Sequence, residues 1–159
     1  MFVPQNYLSM KYIPLLGLFV LFLFFNMTAV HGQFYFGGGM KFNSNNEFKA
    51  LGLNAKVGKD ISEKFEINTD LTYYIASKAS ISVDFDLHYR LLNISEKLYI
   101  SPMAGINITR TTVTNNSLSL GASFKVPTDK YTYFVEPRWI LDNAQFVFSV
   151  GVLYPNIEW

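Results

Sequence analysis

The strongest constraint on this chain is a period of two. Eight runs alternate apolar residues with polar or small ones, with the apolar positions spanning 34–42, 51–57, 65–75, 81–91, 98–108, 118–126, 131–139 and 146–154. Successive side chains of a β-strand point to opposite faces, so this spacing predicts strands with two unlike faces and no helical stripe. No charged residue lies on the apolar face of any run. Turn-forming clusters separate the runs at 43–46, 59–63, 77–80, 93–96, 115–117, 127–129 and 142–143. Connections this short cannot hold a crossover helix, so the strands are expected to be antiparallel and sequential. Pro102 and Pro137 fall within runs and lack a ladder donor, so they should mark bulges or bends.

An internal repeat supports this division. Asp60-Ile61-Ser62-Glu63-Lys64-Phe65 recurs as Asn93-Ile94-Ser95-Glu96-Lys97-Leu98, and Lys64, Lys97 and Lys130 are 33 residues apart. One repeat is one hairpin. Alternation over long runs, without a glycine-rich coil, favours an up-and-down barrel over a solenoid. An even strand count puts both termini at the same end.

Residues 1–32 read as a cleavable signal peptide, leaving 33–159 as one barrel domain. Lys11 precedes a nearly unbroken apolar run from Ile13 to Phe25, and small residues lead up to a cut before Gln33. The run is short of the about 20 residues a spanning helix needs. Met10-Lys11 would make a more typical start than Met1, which makes residues 1–9 a candidate misassigned extension. Without this segment and its one charge, Lys11, the 12 remaining basic residues balance the 12 acidic ones. That balance offers nothing to nucleic acid. The absence of cysteine excludes a thiol nucleophile, a disulfide framework and thiolate metal sites.

Alternation alone leaves open which face points outward, since a soluble lipocalin-like carrier has the same period. Composition separates the two. The apolar face carries roughly forty side chains, more than an eight-stranded interior can hold. The chain has 15 Phe and 10 Tyr, many of them on that face. The other face mixes glycine and serine with charges of both signs, which suits a narrow polar lumen. Lipid is therefore the expected solvent of the apolar side. Tyr73, Tyr89, Tyr131, Tyr133, Trp139 and Tyr154 lie near strand ends, where an interfacial girdle belongs.

The leader, the eight alternating strands and the final strand ending at Tyr154 resemble the small outer-membrane β-barrel domain family, which includes OmpA- and OmpX-like barrels of Gram-negative bacteria. The resemblance covers essentially the whole chain after residue 32. It implies an outer-membrane location with periplasmic termini, contact with outer-membrane lipid, and recognition by the assembly machinery through a terminal aromatic residue. Gly151-Val152-Leu153-Tyr154 matches that signal. Pro155-Asn156-Ile157-Glu158 departs from it, so the terminal aromatic is either Tyr154 or Trp159. The resemblance carries little about function, because such barrels serve as anchors, adhesins, enzymes and assembly subunits.

The inward charges set the candidate site: Lys41, Lys56, Glu66, Asp70, Asp84, Asp86, His88, Arg90, Lys125, Glu136 and Arg138. Both signs in a narrow bore predict a mutually paired network that plugs it, because buried unpaired charge is too costly. An ion or proton path is the functional alternative. His88, with Asp86, Asp84 and Ser82 on its face, is the only start for a lipid-modifying hydrolase or acyltransferase, but same-strand neighbours lie nearly 7 Å apart and make no triad alone. Asp84 and Asp86 without clustered histidine are weak metal ligands. Gly37-Gly38-Gly39 precedes no helix and is no phosphate loop; it should relieve crowding in the wall. The stretch 109–117, with Asn107, Asn115 and Asn116 nearby, reads as the longest loop and the one with room for recognition. The expected function is a structural or interaction role without cofactor or metal, with docking to a larger membrane complex as one form of it.

Overall fold

The computed structural model describes residues 34–44, 50–75, 80–94, 97–110, 114–141 and 145–155. The proposed leader, Trp159 and parts of several turns lie outside them. The strands are β1 (Phe34–Asn43), β2 (Ala50–Asp60), β3 (Phe65–Ile75), β4 (Ser80–Tyr89), β5 (Leu92–Ile94), β6 (Leu98–Arg110), β7 (Thr114–Pro127), β8 (Thr132–Ile140) and β9 (Gln145–Pro155). Each pairs antiparallel with its neighbour, β1 pairs with β9, and β4 pairs with β6, so the sheet closes on itself. Eight staves make the wall, since β5 continues the line of β4 along β6.

The two prolines act differently. His88 is paired with Met103, but Leu92 is paired with Ile100, so three steps on one strand oppose four on the other. The extra residue makes a bulge at Tyr89–Leu91, opposite Pro102, whose ring supplies no N–H there. At Pro137 the register holds, with Gly121 facing Arg138 and Phe124 facing Val135, but the β7–β8 ladder is interrupted between them.

Register fixes the shape. Tracing paired residues from Asn43 through Val147, Arg138, Gly121, Met103, His88 and Glu66 ends at Asp60, one residue beyond Lys59, the partner of Phe34; Phe34 is nine residues from Asn43, so the circuit closes with a stagger of ten. Such a stagger over eight strands needs a tilt of about 45°. Eleven-residue strands such as β2 and β3 then rise roughly 25 Å along the axis, the height of an outer-membrane apolar band.

Burial is inverted relative to a water-soluble protein. None of the apolar-face residues read from the alternation is buried: Leu71 is 53% exposed, Phe85 50% and Leu120 52%. Asp70, His88, Glu136 and Ser149 are fully enclosed. In water each exposed Leu or Phe would forgo about 1.5–3 kcal/mol of burial, and so continuous an apolar wall marks a surface made for another apolar phase. The inward face holds the charges, whereas a lipocalin-like carrier would keep its apolar residues inside.

The stretch 109–117 is a correction. It is mainly paired backbone, with Thr109 opposite Asn115, Arg110 opposite Thr114 and Asn107 opposite Ser117. Thr, Ser and Asn at these positions carry no hydrophobic alternation, but the ladder continues past the end of the apolar band. Residues 109–110 belong to β6 and 114–117 to β7, and 111–113 between them lie outside the described residues.

Candidate functional site: the charged lumen

Even-numbered residues of β2, β3, β4 and β8 and odd-numbered residues of β1, β6, β7 and β9 point inward. The lumen holds two groups of charges. Asp70 and Asp84 lie directly opposite each other on β3 and β4, a repulsive placement on its own. Cations from across the bore compensate it. Lys41 donates to Asp84 at 2.7 Å and lies 3.7 Å from Asp70. The Arg138 guanidinium spans Asp84 at 2.9 Å and Asp86 at 2.6 Å. Lys56 lies 3.3 Å from Asp70 and donates to Glu136, which also accepts from the Ser123 hydroxyl at 3.0 Å. Asn54 and Asn107 donate to Asp70 and Asp84 at 2.9 and 2.6 Å.

The second group lies nearer the end that holds Phe34 and Pro155. Lys125 and the Tyr35 hydroxyl donate to Glu66, and Asn68 donates to it at 2.6 Å. Arg90, carried inward just after β4, bonds Asp60 and reaches Glu66 at 3.4 Å. The Lys125 and Lys56 ammonium groups also sit 4.7 Å over the Tyr35 and Phe134 rings, a cation–π contact that suits a desolvated cation. A recess of about 120 Å³ opens beside this group, lined in part by Tyr35, Arg90, Tyr99, Ser101 and Lys125.

All eleven charged or titratable residues read from the sequence point inward, and all but His88 join one of these ion pairs. His88 Nδ1 is 3.6 Å from Glu66, and neither ring nitrogen has a hydrogen-bond partner. Asp60 belongs to the network although it reads as a turn residue. Sequence reading also missed the inward apolar groups Tyr74, Met103, Phe134, Ile140, Val147 and Leu153, all buried. They continue the same parity as the polar positions, and that parity was the one signal that would have found them. Small residues make the room: a Cβ on Gly151 would lie 2.7 Å from the Phe134 ring, and one on Gly58 would collide with Tyr35. Gly37 and Gly39 lie in the closing seam, where a Cβ would strike the Val152 and Val150 carbonyls.

Aromatic residues gather toward both ends of the outer wall. Phe36, Tyr154, Tyr131 and Tyr133 form a chain of ring contacts at 5.6 to 6.2 Å at the terminal end, where Tyr89 also packs on Phe65. Trp139 packs on Phe146 toward the opposite end, where Tyr73 pairs with Ile81. Among the described residues no cluster of three or more His, Asp or Glu is placed to hold a metal; the Asp84 and Asp86 carboxylates are occupied by Lys41 and Arg138.

A closed polar-cored barrel with an apolar exterior is the architecture of small transmembrane β-barrels. No protein-family model and no curated protein sequence matches the chain. Solved structures do. The N-terminal β-barrel domain of Pseudomonas aeruginosa OprF is similar with a TM-score of 0.62 at 12% identity, over 78% of this chain and 97% of that one. A de novo designed transmembrane β-barrel gives 0.60 at 14%, over 78% and 95%. The Yersinia pestis outer membrane protein Ail, in a phospholipid bilayer nanodisc, gives 0.55 at 12%, over 79% and 99%. At these identities the likeness is one of fold.

Proposed function

We propose that this protein is a small integral outer-membrane barrel whose own side chains close its lumen, and that its role is structural or interactive. The observation that carries this reading is the inverted distribution of polarity: five cations and six carboxylates inside, and Phe, Leu, Ile and Val outside. Such a wall matches acyl chains, and a closed sheet meets the backbone's hydrogen-bonding demand without water. The paired charges leave a narrow bore little free volume for a solute. By analogy with similar folds, the termini face the periplasm, and the last strand, with Gly151 and outward Tyr154, offers itself to the assembly machinery. Contact with a larger membrane complex would use the outer wall or the connections at the opposite end.

Catalysis is the weaker reading. A lipid-modifying enzyme would need His88 at a rim with an activated hydroxyl, whereas His88 is fully enclosed and bonded to none.

Carbonate washing of membranes and planar-bilayer recording test the proposal together. The protein is expected to stay with the membrane and to give no steady conductance. Release into the soluble fraction, or a large steady single-channel current, would overturn it.

A further inference from the structure

His88 stands apart from the close ion pairs that join the inward charged residues. An imidazole has a nitrogen to satisfy on each side, and each unmet buried hydrogen bond costs about 1–3 kcal/mol. Both ring nitrogens of His88 are buried without a partner. Glu66 on β3 lies 3.6 Å from Nδ1, and Glu136 on β8 stands one inward position from Arg138, as His88 does from Asp86, the residue that Arg138 bonds. Lys125 on β7 and Lys56 on β2 bond those two carboxylates. On its own strand Asp86 is held by Arg138, and beyond the strand end Arg90 is held by Asp60. From β6 it is flanked by the uncharged Met103, and Tyr35 of β1 bonds Glu66. Thus one carboxylate of each ion group faces the imidazole. Lys41, Lys56, Arg90, Lys125 and Arg138 number one fewer than Asp60, Glu66, Asp70, Asp84, Asp86 and Glu136. A single added proton would make the network neutral. The recess at the terminal end reaches Lys125, which bonds Glu66, so water there is one ion pair away from His88. Toward the opposite end the lumen is lined by buried Tyr74, Ile140 and Val147.

We propose that His88 is a proton-operated switch of the lumen, resting on the closed-lumen reading above. A proton entering from the terminal mouth binds the imidazole, and the imidazolium donates to Glu66 and Glu136. It draws them from Lys125 and Lys56 and ties the two ion groups into one.

The test is an NMR pH titration, from pH 8 to pH 2.5, of the full chain in phospholipid nanodiscs. His31→Gln leaves His88 as the one imidazole. The imidazole is expected to titrate in a single step, with the Glu66 and Glu136 amides moving at the same midpoint. In Glu66→Gln that midpoint falls by about one pH unit, because an attracting carboxylate is lost. In His88→Gln the coupled amide movements vanish. An imidazole that stays neutral throughout, or amide movements that persist in His88→Gln, would overturn the switch. Should His88→Gln fail to fold, the Glu66→Gln shift decides. A silent lumen with an inert imidazole sinks the switch alone; steady conductance sinks the closed lumen and the switch with it.

Discussion

At the scale of residues, the fold rests on charges that could not be buried singly. Asp70 and Asp84 face each other across β3 and β4, and Asp86 follows on the same face. Arg138 touches all three, at 3.7, 2.9 and 2.6 Å. Its planar fork reaches two carboxylates at once, which the point charge of a lysine does less well. Arg138→Leu removes the common partner, leaves Asp70 and Asp84 to Lys41 and Lys56, and takes from Asp86 its one ion pair among the described residues. Loss of one member of a buried ion network costs about 3–5 kcal/mol, so denaturant unfolding in detergent should show a loss of that order. Exposed Arg110→Leu should change stability little. Equal stabilities for the two variants would contradict the role given to Arg138. These partnerships were not legible in the sequence. Lys41 and Asp84 are 43 positions apart, and Lys56 and Glu136 are 80 apart. Alternation said that each pointed inward, but only strand order and stagger decide which charges meet.

At the scale of elements, the eight staves were legible because lipid-facing and lumen-facing residues differ so sharply in chemistry. The ends were less so. Alternation fades where strands leave the apolar band, which is why β6 and β7 extend into the stretch that read as a loop. The bulge after β4 was marked by Pro102, yet its register slip was invisible, since Tyr89 and Leu91 still alternate on paper. Pro137 has a measurable consequence. The β7–β8 ladder is interrupted at Ala122 and Ser123, whereas β2 and β3 pair without a break from Leu51 to Asp60. Amide exchange in nanodiscs should be faster at Ala122–Ser123 than at Leu53–Lys56, because local opening starts where hydrogen bonds are missing. Pro137→Val restores a donor and should slow that exchange. Uniform protection across both ladders would contradict the interruption.

At the scale of the whole molecule, one physical fact organises the rest: the solvent of the outer wall is apolar. It explains why Leu and Phe lie outside, why a barrel with no free edge was required, and why the charges retreat into the bore and pair there. The inward apolar groups, such as Phe134 and Val147, show that a lumen need not be polar throughout. Binary patterning hid them, because it assigns each face a single chemistry.

The most direct measurement is collision accessibility of a spin label scanned along β7. The chain has no cysteine, so single labels can be placed cleanly. In bilayers, labels at outward Leu118 and Leu120 should meet oxygen freely and a water-soluble nickel chelate rarely, while one at Asn115, beyond the apolar band, should show the reverse. Contact with the chelate at Leu120 equal to that at Asn115 would mean the wall faces water, and the account would fail.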